Sequence, residues 1–177
     1  QFEQKFTLRG GAGVIIPDYQ DYSYGLCMNA CLQYNTKSPL SLIANVKYFQ
    51  LWDTEHGDSY YHDVSIGGGL KFKFLRSSTI SPYLFAEVSA NLLYYYYYYE
   101  YAEPIYDPEF DIWYSGDYEE EEALSFGLYP GLGLDIKITD NIGLYLQGGY
   151  YTTYYDDFSS IYTLVGVNIS FLKAKNL

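Results

Sequence analysis

Residues 124–138 read LSFGLYPGLGLDIKI, and their apolar side chains recur every second position. Leu124, Phe126, Leu128, Leu132, Leu134, Ile136 and Ile138 share one parity, while Ser125, Gly127, Tyr129, Gly131, Gly133, Asp135 and Lys137 share the other. Successive side chains of a strand face opposite sides of a sheet, whereas a helix repeats every 3.6 residues, so this stretch predicts a strand with one apolar and one polar face.

The same split recurs on both sides of it. Going back toward the start, Leu84 to Leu92, Val64 to Phe74, Leu42 to Tyr48, Leu26 to Leu32 and Phe6 to Ile16 each place apolar residues on one parity and mostly Gly, Ser, Asn, Cys or charge on the other, with Ile15, Ile43 and Phe85 among the exceptions. Toward the end, Ile142 to Gly149 and Tyr162 to Phe171 do the same. That makes about eight strands in 177 residues, an even number suited to an all-β, up-and-down antiparallel barrel formed by one domain over 1–177. Tyr at 25 positions and Phe at 10, against one Met, reinforce strand over helix.

Which parity points outward decides between a soluble barrel and one that crosses a membrane. A soluble barrel turns its apolar side chains inward and studs its outer strands with Lys and Glu. Here the polar parity is mostly small and neutral, as a narrow filled interior requires, so the apolar parity is expected to face lipid. No run of about 18 apolar residues suggests a spanning helix, but a barrel strand crosses in about 9 to 11 alternating residues. A start at Gln1 fits a mature form from which an export signal has been removed.

The segments between strands alternate between two ends. Asn35 to Leu40, Arg76 to Ser81 and a two-residue turn at Asp140 and Asn141 form one set; Pro17 to Asp21, Asp53 to Tyr61, Glu100 to Glu122 and Asp156 to Ser160 form the other. Outer-membrane barrels keep short turns in the periplasm and longer loops outside, which puts both termini of this chain on the periplasmic side. Tyr22, Tyr24, Tyr34, Tyr48, Tyr150 and the run Tyr94 to Tyr99 fall near strand ends, where amphipathic rings suit the headgroup zone; cross-strand packing favours them equally.

Charge divides along the same axis. Of 22 acids, 18 lie in or beside the expected outer loops, including Asp63 and ten between Glu100 and Glu122, and none of the ten Lys and Arg does. The net charge of -12 is therefore an acidic crown that attracts cations and repels nucleic acid. In the crown, Tyr106, Phe110, Trp113, Tyr114 and Tyr118 interleave with acids ending in Glu119, Glu120, Glu121 and Glu122. Rings offer stacking platforms for surface glycans or other outer-membrane proteins, and carboxylates suit Ca2+. A solvated, solubilising loop is the plain alternative. Self-repulsion is expected to hold its tip extended.

Arg9, Lys47, Lys71, Lys73 and Lys137 fall on the polar parity with Glu87 and Asp135, predicting a paired charge network in the lumen. Glu87 is expected to pair with Lys71, and Asp135 with Lys137 or Arg9, because buried charge is costly unless paired. Cys27 and Cys31 share one strand face about 13 Å apart, too far for a disulfide in a regular strand. His56 and His62, with Asp58 and Asp63, match no strong metal-ligand spacing. His62 and Ser65, three apart, fall on opposite strand faces, which is poor geometry for a nucleophile and its base.

The last strand carries Gly166, then Ile169, then Phe171, which resembles the C-terminal signal read by the barrel assembly machinery, although Leu172 to Leu177 follow it. With whole-chain alternation, the sequence resembles the small eight-stranded outer-membrane barrels related to the OmpA transmembrane domain, OmpX and OmpW. The resemblance implies the cell outer membrane of a Gram-negative bacterium, with lipid and lipopolysaccharide as neighbours, no enzyme activity and no resident cofactor. Three functions stay open: a structural or interaction barrel, free or as an accessory subunit; a surface binding protein using the acidic aromatic loop; and a narrow ion pathway.

Overall fold

Each half-polar strand has to find partners for its backbone on both edges, and closure into a cylinder supplies them with no edge left over. The computed structural model describes residues 4–18, 22–36, 38–53, 60–75, 78–107, 112–154 and 159–172. The strands are β1 (Gln4–Pro17), β2 (Tyr22–Asn35), β3 (Leu40–Asp53), β4 (Tyr60–Lys73), β5 (Ile80–Asp107), β6 (Ile112–Lys137), β7 (Ile142–Thr153) and β8 (Ser159–Leu172). They form a closed antiparallel barrel in chain order, and the seam pairs β1 with β8 from Gln4↔Leu172 to Pro17↔Ser160.

The expected parity holds on all eight strands. Leu8, Leu26, Leu42, Ile66, Leu84, Leu132, Leu144 and Val167 stand exposed on the outer surface, while Arg9, Asn45, Ser65, Asn91, Ser125, Gln147 and Asn168 are buried inside. Cys27 and Cys31 are both buried and unbridged. Ser65 faces the interior, and His62 faces outward, where its Nδ1 lies 2.6 Å from the Tyr48 hydroxyl.

Glycine opposite a large ring is how so narrow a cylinder is filled. A Cβ on Gly133 or Gly131 would run into Tyr83 or Phe85, and one on Gly166 would strike both the Gly10 carbonyl and Tyr145. The tightest approach is at the seam, where a Cβ on Gly13 would stand 1.7 Å from the Thr163 carbonyl oxygen. Backbone cannot swing aside as a side-chain tip can. Gly13→Ala is therefore expected to destabilise the barrel by about 1–3 kcal/mol, read as a lower urea midpoint after refolding.

Three expectations change. Within the segment 100–122, residues 100–107 and 112–122 are not loop but the outer part of a β-hairpin, with β5 and β6 paired continuously from Ile80↔Ile136 to Glu100↔Gly116 and, after a register shift, from Ile105↔Tyr114 to Asp107↔Ile112. The unbroken run Tyr94 to Tyr99 on β5 has high strand propensity and lets backbone pairing continue past the barrel opposite the acid-rich part of β6. The connection at Asp140 and Asn141 spans 138–141, closed by Thr139, whose hydroxyl accepts from the Asn141 and Ile142 amides at 3.3 and 3.0 Å. Asp63, counted with the outer loops, is fully buried in the lumen.

Candidate functional site

Two features stand apart from a plain barrel wall: a stratified lumen and the projecting hairpin. At the end of the barrel where β4 meets β5 and β6 meets β7, hereafter the turn end, β6 presents Asp135 to three cations. Arg9 Nη2 from β1 lies 3.4 Å from its Oδ1, and Lys71 and Lys73 Nζ from β4 lie 2.8 and 2.7 Å from its Oδ2. Arg9 is further fixed by donating from Nε to Asn168 Oδ1 at 2.9 Å and from Nη2 to the Tyr83 hydroxyl at 2.7 Å. Its guanidinium lies 4.1 Å from the Tyr145 ring centroid, and the Lys71 ammonium lies 3.6 Å from that of Tyr83, so aromatic faces help replace lost water.

In the middle of the lumen, Glu87 from β5 accepts from Lys47 and, at 2.5 Å, from Asn45 Nδ2, both on β3. The Lys47 ammonium also sits 3.6 Å from the Tyr129 ring centroid. Beyond this layer the rings of Phe49, Tyr129 and Tyr151 stack with centroids 4.6 to 6.0 Å apart, and Tyr162 meets Phe49 and Tyr129 edge-on. Toward the hairpin end Asp63 accepts from Asn91 Nδ2 at 2.9 Å and from the Tyr151 hydroxyl.

The lumen network is present, with different partners from those expected. Glu87 joins Lys47 rather than Lys71, because Lys71 reaches Asp135 instead. Asp135 does pair with Arg9, but Lys137 turns out of the lumen, with its side chain 53 % exposed, to meet Asp140 at 2.6 Å. That hydrogen bond, together with the lysine's charge, holds the Asp140 carboxyl below the usual carboxylate range. The Asp63, Asn91 and Tyr151 layer was missed, although extending the inward parity of Ser65 back by two residues points to it.

In the hairpin, β4 leaves β5 at Tyr60↔Tyr96 and β7 leaves β6 at Gly127↔Thr153, with one further bond from the Tyr154 amide to the Phe126 carbonyl. Past those rungs, among the described residues, the two strands pair only with each other. Register sets Tyr94 to Tyr97 opposite Glu122, Glu121, Glu120 and Glu119, and Tyr98 and Tyr99 opposite Tyr118 and Asp117. Tyr106 faces Trp113, and Tyr114 faces Ile105. Glu120, Glu121 and Glu122 are exposed. Phe110, like His56 and Asp58, lies outside the described residues. Among the described residues no three His, Cys, Asp or Glu side chains gather as a metal site.

In β8, Gly166 is the glycine that admits Tyr145, while Ile169 and Phe171 face outward in register with Leu8 and Phe6. Neisserial surface protein A matches with a TM-score of 0.63 at 18% identity over 94% of this chain and 97% of its own. The chain has the fold of the small outer-membrane barrels. A major outer membrane protein of Thermus thermophilus matches with a TM-score of 0.63 at 14% identity, covering 94% of this chain and 98% of that one. Ail of Yersinia pestis, solved with the heparin analogue sucrose octasulfate, matches with a TM-score of 0.56 at 15% identity, covering 96% and 100%. No family model matches the sequence, and no curated protein does.

Proposed function

We propose that this chain is a non-enzymatic barrel of the Gram-negative outer membrane that acts at the cell surface through its β5 and β6 hairpin. The sidedness of the wall carries the reading: an unbroken apolar exterior needs a bilayer, and a polar interior packed with side chains needs none. Lipid and lipopolysaccharide then surround the belt. The turn end and both termini lie in the periplasm, and Gly166, Ile169 and Phe171 serve recognition by the barrel assembly machinery.

The hairpin is the part with surface to offer. It raises Tyr against acid rung by rung and, over 100–122, holds ten carboxylates and no cation. Such a surface favours cationic partners or Ca2+-bridged ones, including other outer-membrane proteins and neutral glycans, and opposes sulfated glycans of the kind bound to Ail. The ion-pathway reading is weaker, since the stack of Phe49, Tyr129, Tyr151 and Tyr162 lies across the lumen.

Excising 99–117 and joining Tyr98 to Tyr118, a directly opposed pair, through an Asn-Gly turn should leave barrel folding intact. Partner capture from native membranes should disappear, and Ca2+ should slow proteolysis of the intact hairpin. Retention of every co-purifying partner by the shortened protein, with cleavage indifferent to Ca2+, would show the hairpin to be a solvated surface alone.

A further inference from the structure

The lumen is stratified by charge. At the turn end, three cations, Arg9, Lys71 and Lys73, converge on one carboxylate, Asp135, which leaves a surplus of two positive charges. The other lumen acids do not offset it. Glu87 is engaged by Lys47 and Asn45, and Asp63 lies beyond the aromatic stack with Asn91 and Tyr151. Asp140 holds Lys137 at the rim. Among the described residues no second carboxylate lies within ion-pair distance of the three cations.

Uncompensated charge withdrawn from water is costly, and here the withdrawal is deep: Arg9 is 3 % exposed and Lys71 fully buried. Lys73 is the outlet, with its side chain 22 % exposed at the mouth. The surroundings are wet in character. Toward this end Thr7, Asn35, Ser41 and Ser170 line the interior as one network, with Asn35 Nδ2 donating to Thr7 Oγ1 at 3.0 Å, Ser41 Oγ donating to Asn35 Oδ1 at 3.2 Å, and the Thr7 and Ser170 hydroxyls 3.0 Å apart. The other half of the lumen is filled by rings, and Arg9 and Lys71 are buried, so an ion arriving from the turn end meets the cluster at Lys73.

We propose that the turn end of the lumen is a receptor for a small oxyanion of the phosphate type, seated on Lys73 at the mouth, with the buried Lys71 and Arg9 behind it supplying positive potential. The charge is matched: a phosphate group carries about -1.5 to -2 near neutral pH, against a surplus of two. Ammonium groups bind phosphate as point charges, and hydroxyl donors complete its shell. A chloride ion offsets only one of the two charges and lacks the several oxygen acceptors of a tetrahedral oxyanion. The site is distinct from the hairpin and does not depend on what the hairpin binds.

The test uses the refolded full chain in maltoside micelles, which carry no phosphate, with inorganic phosphate as the probe and chloride at equal ionic strength as the reference. Phosphate is expected to give saturable binding by calorimetry and to raise the unfolding midpoint above that in chloride by more in the parent chain than in Lys73→Gln, since its general exclusion effect is common to both. Lys73→Gln, at the partly exposed mouth, should keep the fold and weaken that binding tenfold or more. Equal midpoints in phosphate and chloride, or unchanged binding by K73Q, would overturn the proposal. A second arm in phosphocholine micelles separates the sources of the phosphate group. Undiminished binding of free phosphate there supports the lumen site, whereas its loss would assign the effect to headgroups at the rim and overturn it.

Discussion

Asp135→Asn is expected to lower the stability of the folded barrel by about 3–5 kcal/mol, the range for removing one partner of a buried ion pair. The substitution keeps shape and one carbonyl acceptor, so packing is unchanged. What is lost is the one negative charge shared by Arg9, Lys71 and Lys73 within 3.4 Å. The three cations then face one another with no carboxylate between them, two of them, Arg9 and Lys71, buried. The loss should appear in reversible urea unfolding of the vesicle-inserted protein. Adding Lys71→Met to Asp135→Asn should recover a large part of it, since Lys71 is the fully buried member and a Met side chain fills its space. An unchanged midpoint for the single variant would mean that solvent screens the cluster, and no recovery in the double variant would mean that charge is not the cause.

Arginine on the outer belt tests the bilayer directly. Val167 is 43 % exposed between Gly10 on β1 and Leu144 on β7, in the middle of the β1 to β8 ladder and on the third rung from the turn end of the β7 to β8 ladder. Near the midplane of a bilayer Val167→Arg should cost about 2–4 kcal/mol; in water the same change on an exposed strand position costs little. Leu132→Arg, Leu134→Arg and Val165→Arg should behave alike, while Glu120→Arg on the exposed hairpin should leave folding unaffected. Folding of the Arg variants as readily as the parent chain, together with a parent chain that stays monomeric in water without detergent, would refute a lipid-facing belt.

The wall was legible in the sequence because a period of two is a local signal: each strand declares its faces within a few residues, as Leu124 to Ile138 does. Pairing inside the lumen was not legible to the same degree. Parity put Lys47, Lys71, Glu87 and Asp135 in one compartment, but which cation meets which acid depends on strand stagger. Glu87 sits on the rung of Gly69 and Tyr129, yet its partner Lys47 comes from a strand not adjacent to its own. Lys137 kept the inward parity but lies at the strand end, where Asp140 three residues on was the nearer acid. The hairpin was misread for another reason. Acid-rich sequence is usually a solvated loop, and the Tyr run on the opposite strand, which sustains the ladder, is not visible from the acids alone.

The seam between β1 and β8 has a kinetic consequence. Each of its rungs joins the two ends of the chain, as does the Arg9 to Asn168 bond, which spans a sequence separation of 159 residues. Contacts of such separation exact the largest loop-closure entropy and form late, so cylinders of this connectivity fold slowly. While the seam is open, Arg9 lacks its Asn168 partner and the sheet has two raw backbone edges. The nascent protein is thus most vulnerable to aggregation just before its final strand docks. A chaperone that shields β1 and the inward-facing charges during that interval would speed recovery of folded protein more than one acting on any internal hairpin.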